Sequence, residues 1–368
     1  MKKPFKIYAE VLEDEALRQF EEAMSQPFVV SGALMPDAHV GYSLPIGGVV
    51  AADNYVVPSY VGFDKGCGVL AATVENISPD DIKHRQKDIF DAIYRNVPVG
   101  FNINKTEVDY STNGLTEVGK SIAESKHYRR ALGSLGSGNH FIEVGVDEQN
   151  TVWIIIHSGS RGVGHGIATH YIKQAHPDGK CQDGHYGFEA NSTEGQHYIQ
   201  DLNWCLDYAL ANRMEMLNRT ADAITQTLGL PTIMFDQKQV INRHHNHAVN
   251  KDGLWIHRKG ATHAELDMMG VIPGNMRDGS FIVKGKGNPE SLFSSSHGAG
   301  RVMGRKEAKR QLELSKFTET MNGVQANVKE STLDESPFAY KDIFEVMRLQ
   351  ADLVETVAYV KPLINIKG

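Results

Sequence analysis

The chain has little cysteine, with only Cys67, Cys181 and Cys205 among 368 residues. So sparse and odd a set does not form a disulfide framework, and a reducing compartment is expected. No run of 18 or more apolar residues occurs, so no membrane-spanning helix is expected. The N-terminal segment starts with lysines but has no apolar stretch behind them, which argues against a secretory signal. These absences predict a cytoplasmic protein.

Basic charge is also in short supply. The 38 Lys and Arg residues are outnumbered by 45 Asp and Glu, giving a net charge of -7 and a pI of about 6.1. This balance argues against a uniformly basic nucleic-acid coat protein. It is compatible with a local basic cleft, because an enzyme can hold RNA through a few phosphate contacts.

No internal repeat, low-complexity stretch or Pro/Ser-rich linker divides the sequence, so a single domain over residues 1–368 is predicted. Apolar residues at helical spacing predict several helices. These cover residues 12–24, 80–96, 197–228, 305–317 and 343–357. Strand-like runs are expected within 28–75, at 151–157, at 280–284 and in the terminal KPLINIKG. Without a regular βαβ rhythm, the pattern predicts an α+β fold with several, mostly antiparallel sheets.

The 35 glycines and 16 histidines stand out against this background. The glycines cluster in short loops, which favours close backbone approach to a ligand. One such loop, VGFDKGCGV (61–69), offers Asp64 and Cys67 on a turn. A cytosolic cysteine beside an aspartate suits a thiolate metal ligand. Taken alone, however, a free cysteine is more often a small buried apolar residue.

Three histidines share one local context, the junction of an apolar run and a glycine-rich turn. They are His140 in GSLGSGNHFIEV, His157 in TVWIIIHSGSRG and His257 in LWIHRKGATHA. Each alone is more often a core or surface residue than a ligand. Together with the carboxylate and the thiolate they exceed the four ligands of a structural zinc site. Two metals sharing the thiolate are the economical account, and manganese, iron, zinc or cobalt would suit these donors. Metal pairs favour phosphoryl chemistry.

The stretch SLFSSSHGAGRVMGR (291–305) contains a candidate nucleophile. His297 is followed by Gly298, Ala299 and Gly300, whose small size lets backbone N–H groups approach an anion, and Arg301 adds charge. A histidine there can attack an α-phosphate and form a phosphoramidate. Equally, the segment can be a phosphate-binding turn in which the histidine only donates a hydrogen bond. No G-x-S-x-G elbow and no Walker A sequence is present.

Several motifs, taken in order, resemble those of the RtcB family of RNA-splicing ligases. They are MPDAHVG (35–41), GFDKGCGV, GSGNHFIEV, HSGSRGVGH, HRKGAT, IPGNM, HGAGR and the terminal KG. The resemblance covers most of the chain, and the combination is specific although no single glycine motif is. It implies one domain built around a central cleft for two metals and a nucleotide.

The resemblance also implies roles for individual residues. Cys67 would bridge two manganese ions, with Asp64 and His140 completing one set and His157 and His257 the other. His297 would become guanylylated, assisted by Arg301, while Asp37 and His39 belong to a motif needed for activity. The residues implied to surround GTP are Asn139, His140, Phe141, Ile142, Glu143, His257, Arg258, Pro273, Gly274, Asn275, Met276, Ser280, His297, Gly298, Ala299, Gly300, Tyr340 and Lys367.

The implied activity is a GTP- and manganese-dependent RNA ligase acting in RNA repair or tRNA splicing. It would join an RNA 2′,3′-cyclic phosphate or 3′-phosphate end to a 5′-hydroxyl end through a histidine–GMP intermediate. Its partners would be such RNA ends and GTP, with no membrane. The alternative is a dinuclear phosphoesterase acting on RNA ends, which needs no covalent nucleotide. A non-catalytic RNA-binding protein is disfavoured by the acidic pI and the dense set of metal ligands.

Some positions depart from the family pattern. Asn275 replaces a usual serine, Lys65 stands where a small or apolar residue is commoner, and the chain is shorter than many relatives. Around His140 two arrangements remain open: an ideal strand over 139–144 would point Asn139 and Glu143 away from His140, or the strand begins after His140.

Lys367 is the penultimate residue, and such a lysine is usually frayed. Here the preceding PLINI is apolar and extended, so it should dock in a sheet. A lysine only donates hydrogen bonds, and guanine presents O6 and N7 acceptors together. Lys367 is therefore predicted to help choose GTP over ATP.

Overall fold

The computed structural model describes residues 3–182, 184–235 and 239–368. The strands are β1 (Phe5–Ile7), β2 (Val29–Tyr42), β3 (Leu44–Asp53), β4 (Tyr55–Val56), β5 (Gly68–Val74), β6 (Phe141–Val146), β7 (Val152–Ser158), β8 (Phe188–Glu189), β9 (Ile241–His244), β10 (Asn246–Lys251), β11 (Leu254–Lys259), β12 (Ala261–His263), β13 (Met269–Pro273), β14 (Ser280–Gly285), β15 (Ser294–Ser296), β16 (Gln325–Ala326) and β17 (Val354–Lys367). The helices are α1 (Asp14–Ser25), α2 (Pro58–Val61), α3 (Pro79–His84), α4 (Gln86–Asn96), α5 (Glu117–Ser125), α6 (Tyr128–Ala131), α7 (Arg161–Ala175), α8 (Thr193–Leu228), α9 (Arg305–Gln311), α10 (Leu314–Thr320) and α11 (Ile343–Arg348).

Two large sheets organise these elements. One has the order β1-β2-β3-β11-β10, and the other has the order β13-β14-β17-β6-β7-β5-β9 with β16 beside β17. Small two-stranded sheets join β12 to β15 and β4 to β8. Within the described ranges, β1–β2 and β16–β17 are the parallel pairs and the other ladders are antiparallel. The expected α+β fold with several mostly antiparallel sheets is confirmed.

The second sheet is buried because its central strands are apolar on both faces. In β7, Ile154, Ile155 and Ile156 are fully buried, and alternate residues enter two different core clusters. The long helix α8 packs along this sheet. Its N-terminus is capped by Ser192, whose hydroxyl accepts the Gly195 N–H, and it ends where Gly229 adopts φ +67. Side chains that leave the ends of these strands therefore have a rigid base.

The predicted helix over 343–357 is wrong in its second half. The helix α11 ends at Arg348, and Val354 and Val357 belong to strand β17. This strand is antiparallel to both β14 and β6, and β-branched residues suit such a two-sided ladder. The long-range pairing overrides the helical spacing. It also carries the terminal segment into the sheet, as expected, and pairs Lys367 with Phe141.

Other predicted elements have small changes at their ends. The segment 80–96 divides into α3 and α4 at Arg85, and 305–317 divides into α9 and α10. The strand near His140 begins at Phe141, so the second of the two open arrangements holds. Within the described ranges, no helix combines the length and the apolar character needed to cross a membrane.

The register of the second sheet brings the candidate ligands to one edge. His157 of β7 pairs with Phe141 of β6 on one side and Val69 of β5 on the other. On the far side of β5, Gly68 pairs with His244. Residues just beyond these positions, such as His140, Cys67 and His245, therefore meet although they are distant in the sequence.

Candidate metal centre and nucleotide cavity

Two groups of potential metal ligands share one cysteine. Among the described residues, Asp64, Cys67 and His140 form one group, and Cys67, His157 and His245 form the other. Cys67 Sγ lies 3.4 Å from His140 Nε2 and 3.2 Å from His157 Nε2. Carboxylate, thiolate and imidazole donors that converge in this way can hold divalent transition metals. Cys67, which the resemblance implied would bridge two ions, is the residue common to both groups.

The histidines are oriented by backbone carbonyls behind them. His140 Nδ1 lies 2.9 Å from the Leu135 carbonyl oxygen, and His157 Nδ1 lies 3.2 Å from that of Asn139. If each Nδ1–H donates to its carbonyl, each Nε2 carries a lone pair that points into the cluster. His157 Nε2 is also 3.2 Å from His245 Nε2. A backbone acceptor behind a ligating histidine is the usual arrangement at metal sites.

The cysteine turn can approach β9 because Gly68 lacks a side chain. A Cβ at Gly68 would overlap the carbonyl of Arg243. The His245 N–H donates to the Cys67 carbonyl oxygen at 2.8 Å. The glycine thus lets two ligand-bearing segments share hydrogen bonds, and any larger residue would separate them.

The electrostatics of the cluster fit a bound cation. Burial lowers the pKa of His157 and of His245 well below the usual value, so both imidazoles are neutral donors. Burial also raises the pKa of the Cys67 thiol, and the Asp64 charge adds to this rise. A cation would reverse this effect and favour the thiolate.

Asp64 supplies an independent sign that the site suits a cation. Burial acts to raise its pKa, but hydrogen bonding and charge from His140, 2.9 Å away, outweigh burial and lower it. Its Oδ1 is buried without a hydrogen-bond partner among the described residues. A buried carboxylate oxygen without a partner is rare unless something else binds it. The donor set therefore fits a divalent cation.

His257 does not join this cluster, contrary to the sequence prediction. It lies on β11 in the first sheet, where its Nε2 accepts the Val57 N–H at 3.0 Å and its Nδ1 lies 3.2 Å from the Trp255 carbonyl oxygen. Both ring nitrogens are thus engaged elsewhere. His245 takes the corresponding place, and sequence reasoning missed it. The available signal was the tandem pair His244–His245, which lies at the end of the short strand β9.

The candidate nucleophile is held by an aspartate. Asp37 Oδ2 lies 2.6 Å from His297 Nδ1 and also accepts the backbone N–H groups of His297 at 3.1 Å and Gly298 at 3.3 Å. With Nδ1 engaged, Nε2 is the nitrogen left to attack. Burial alone would raise the pKa of Asp37, but the charge and hydrogen bond of His297 lower it. Asp37 therefore stays ionised.

The glycine-rich turn after His297 passes directly over the Asp37 backbone. Gly300 has φ +75, and a Cβ there would overlap the Asp37 carbonyl oxygen. Only glycine fits this approach without strain. The same carbonyl lies 2.9 Å from His39 Nδ1. The MPDAHVG and HGAGR motifs are thus two halves of one structure.

A cavity of about 240 Å³ lies beside His297 and connects it to the metal cluster. His157 lines it, and the His245 and His297 ring centroids are 4.8 Å apart. Besides His297, nine of the eighteen sequence-predicted nucleotide contacts line this cavity. They are Asn139, Phe141, Pro273, Gly274, Gly298, Ala299, Gly300, Tyr340 and Lys367, together with the predicted catalytic residues His39 and Arg301.

The remaining predicted contacts do not line the cavity. Ile142 and Met276 are core residues, and the Asn275 side chain accepts backbone N–H groups within its own turn. The Glu143 carboxylate accepts hydrogen bonds from Ser280 at 3.0 Å and Asn365 at 3.0 Å. These interactions occupy the polar groups that were expected to meet the nucleotide.

The prediction that Arg258 contacts GTP is not supported either. Its guanidinium is fully buried and donates to Ser294 Oγ at 2.7 Å and to the Leu292 carbonyl oxygen at 3.1 Å. It contacts His247 Nε2 at 3.1 Å as well. Arg258 therefore braces the segment that precedes β15 and His297, and it does not line the cavity.

Sequence reasoning missed two charged residues at the cavity. Arg305 lines it, and Glu335 lies beneath it, buried, with its carboxylate in contact with Lys367, Tyr340, Arg301 and Arg305. Arg305 ends the stretch SLFSSSHGAGRVMGR, in which only Arg301 was singled out, and Glu335 belongs to no motif with a recognisable spacing.

Comparisons with known proteins agree over the whole chain. A sequence model of a protein family, described as tRNA-splicing ligase RtcB, matches residues 19–127 and 116–368. The chain is 32% identical over 391 residues to RNA-splicing ligase RtcB of Escherichia coli K12, with 97% of this chain and 95% of that protein covered. It is 31% identical over 464 residues to tRNA-splicing ligase RtcB of Nanoarchaeum equitans, with 100% and 96% covered. Against RNA-splicing ligase RtcB of Mycobacterium tuberculosis it is 31% identical over 419 residues, with 91% and 96% covered.

Proposed function

The chain belongs to the RtcB family of RNA-splicing ligases, and we propose that it joins RNA ends through a GMP group carried on His297. The substrates are GTP, an RNA end with a 3′-phosphate and a second RNA end with a 5′-hydroxyl. A 2′,3′-cyclic phosphate end is first opened by water to the 3′-phosphate. The observation that carries the proposal is the His297–Asp37 pair, 2.6 Å apart at the wall of the cavity.

The first step is attack of His297 Nε2 on the α-phosphate of GTP. An N–P bond forms, the bond to the β-phosphate breaks and pyrophosphate leaves. Asp37 keeps the proton on Nδ1 and balances the positive charge that develops on the ring. The backbone of the Gly298–Gly300 turn and Arg301 lie beside the same cavity and suit the phosphates.

The next two steps free His297 of GMP and join the RNA ends. An oxygen of the RNA 3′-phosphate attacks the GMP phosphorus, and the N–P bond breaks. The 5′-hydroxyl of the second RNA then attacks the 3′-phosphate, and GMP leaves as the phosphodiester forms. His39 lines the cavity, and with Nδ1 donating to the Asp37 carbonyl its Nε2 is free to accept the proton of the hydroxyl.

Two cations are assigned to the ligand cluster, manganese being the proposed metal. Asp64, Cys67 and His140 would hold one, and Cys67, His157 and His245 the other. Bound there, they would supply Lewis-acid charge at the phosphates.

A groove of about 590 Å³ suits the approach of an RNA end. It shares His39, Arg301 and Arg305 with the nucleotide cavity, and Tyr42 and Lys306 line it as well. Cationic side chains next to an exposed aromatic ring are typical of single-stranded nucleic-acid sites. We assign this groove to RNA.

The test is incubation with GTP labelled on the α-phosphate, with and without manganese, followed by mass mapping of the label. The label is expected on His297 and absent from His297→Asn, which keeps a polar side chain of similar size. A dinuclear phosphoesterase would trim RNA ends and never become labelled. Label on a lysine would contradict the nucleophile assignment.

A further inference from the structure

One buried carboxylate gathers four side chains that line the nucleotide cavity. Glu335 is 2% exposed. Its Oε2 lies 3.1 Å from Lys367 Nζ and accepts the Tyr340 hydroxyl hydrogen. Its Oε1 lies 3.4 Å from Arg301 Nη1 and contacts Arg305 Nη1. One oxygen thus serves Lys367 and Tyr340, which the resemblance implied to surround GTP, and the other serves two arginines.

These contacts leave Glu335 no capacity to read a nucleotide directly. An ionised carboxylate offers about four acceptor positions, and four donors already occupy them. Its effect on a ligand must therefore pass through the side chains that it holds.

The ionised state of Glu335 is secured by the same neighbours. Burial would raise its pKa, but Lys367 and Arg305, with further help from Tyr340 and Arg301, lower it to about 2. Without this negative charge, Lys367 and Arg301 would lose their carboxylate partner beside a cavity of about 240 Å³, and Arg305 would keep only Asp334, which is unfavourable in a desolvated site. The carboxylate therefore fixes both the charge balance and the direction of the cationic groups.

Lys367 is the neighbour whose direction matters for the base. Its ammonium has three N–H donors. One meets Glu335, a second faces the Asn139 carbonyl oxygen at 3.4 Å, and Nζ lies over the Phe141 ring, 5.0 Å from its centroid. One donor remains for a ligand in the cavity. With two donors anchored, its direction is set before the nucleotide arrives.

We infer that Glu335 is a positioning residue for purine selectivity, which aims the free N–H of Lys367 at the O6 acceptor of guanine. This inference rests on the proposed function, because it concerns the same cavity. Glu335 touches no substrate. It acts through Lys367, so its removal should matter only where a base offers O6.

The main variant is Glu335→Gln, which preserves size and removes the charge. An amide has only one acceptor oxygen, so its NH₂ group must face donors on one side. The matched control is Glu330→Gln, on the exposed start of the same 3-10 helix. Both are compared with Lys367→Ala and with the double variant.

The quantity measured is the preference for one nucleotide over another, expressed as a ratio of adduct formation. Formation of the His297 adduct is compared between GTP and the triphosphate of 2-aminopurine riboside, which keeps the 2-amino group of guanine but lacks O6. Glu335→Gln is expected to lower the preference for GTP about tenfold, since one charge-assisted hydrogen bond is at stake. Lys367→Ala should lower it similarly, and the double variant no further. Glu330→Gln should keep the wild-type preference.

A structural role alone would lower the use of both nucleotides equally and leave the ratio unchanged, which would overturn the inference. Additive losses in the double variant would also overturn it. If Glu335→Gln does not fold, Glu335→Asp withdraws the carboxylate by one methylene and should lower the same ratio; an unchanged ratio contradicts the proposal.

The proposed function can fail separately. Calorimetric binding of GMP and of 2-aminopurine riboside monophosphate measures the same preference without chemistry. Absence of any adduct on wild-type protein would refute the ligase mechanism, while a lowered binding preference in Glu335→Gln would still support the role of Glu335. Equal binding preference in the two proteins would refute that role whatever the adduct assay gives.

Discussion

Asp37 holds His297 at two points, because one carboxylate oxygen contacts both the ring Nδ1 at 2.6 Å and the backbone N–H at 3.1 Å of that histidine. The ring and the main chain are thus fixed together. Because the ring is rigid, this also fixes the direction of Nε2. The two residues are 260 positions apart in the sequence. The pairing gives the otherwise undefined MPDAHVG motif a physical role, which is to orient the proposed nucleophile.

Asp37→Asn should fold and keep its metals but form the GMP adduct slowly. An amide cannot balance the positive charge on the ring, and its NH₂ group can favour the wrong tautomer. A loss of about 10²-fold or more is expected for a mispositioned, uncompensated nucleophile. The rate of adduct formation at saturating GTP measures it. A wild-type rate would mean that Asp37 is only structural.

The metal cluster predicts a definite order of metal loss. Cys67→Ser should deplete both ions because one thiolate is proposed to serve two, while His245→Ala should deplete mainly one. His257→Ala is the matched control, since His257 bonds to Val57 outside the cluster, and it should retain both. Elemental analysis of purified protein gives the counts. Loss of one ion from His257→Ala with none from His245→Ala would reverse the assignment.

The contrast between His245 and His257 shows which part of the candidate site could not be predicted from the sequence. His257 follows the apolar run LWI, whereas His245 follows the mostly polar INRH, so local context favoured His257. What separates them is the sheet to which each strand belongs: β9 pairs with β5 beside Cys67, whereas β11 pairs with β3. Strand order is a long-range property that no local pattern encodes. Cys67, His140 and His157 were predictable because motif and strand end coincide.

In the C-terminal segment, one prediction from the sequence was wrong and another was confirmed. Apolar spacing predicted a helix through Val357, but pairing with β6 and β14 makes a strand from Val354. The docking of the penultimate Lys367 was predictable, because an apolar extended run leads into it. The role of Glu335 was not predictable, because the segment ESTLDES carries no motif. Three of the four side chains that meet it, those of Arg301, Arg305 and Lys367, are distant in the sequence.

Glu143 should make stability fall with rising pH. Burial raises its folded pKa to about 7, against hydrogen bonds from Ser280 and Asn365 that act to lower it. A folded pKa above the unfolded value stabilises the protein at acid pH, and this contribution is lost as pH rises through 7. Wild-type protein should therefore lose about 2–3 kcal/mol of unfolding free energy between pH 5 and pH 8 from this group.

Glu143→Gln should remove this part of the pH dependence, since an amide does not titrate in that range. Urea unfolding at several pH values, with Glu330→Gln as the exposed control, gives the comparison. If the slope between pH 5 and pH 8 is the same in both variants, then Glu143 is ionised in the folded protein throughout.

Tyr42 offers a way to separate RNA binding from nucleotide chemistry. Its side chain lies at the tip of the β2–β3 turn, where Ser43 adopts φ +60 and the Lys259 ammonium donates to the Tyr42 carbonyl oxygen. The residue is nevertheless 60% exposed. A ring fixed at its base and open to solvent can stack on a nucleobase, and such stacking contributes about 1–3 kcal/mol. Tyr42→Ala should raise the KM for RNA roughly tenfold, and Tyr42→Phe should retain the wild-type value.

The guanylylation step should not respond, because GTP alone reaches His297 through the nucleotide cavity and Tyr42 does not line that cavity. Ligation of short single-stranded RNAs and adduct formation without RNA are measured on the same preparations. Equal loss of both activities would mean that the substitution disturbs the fold of the β2–β3 hairpin. An unchanged KM for RNA in Tyr42→Ala would mean that the RNA end reaches His297 by another route.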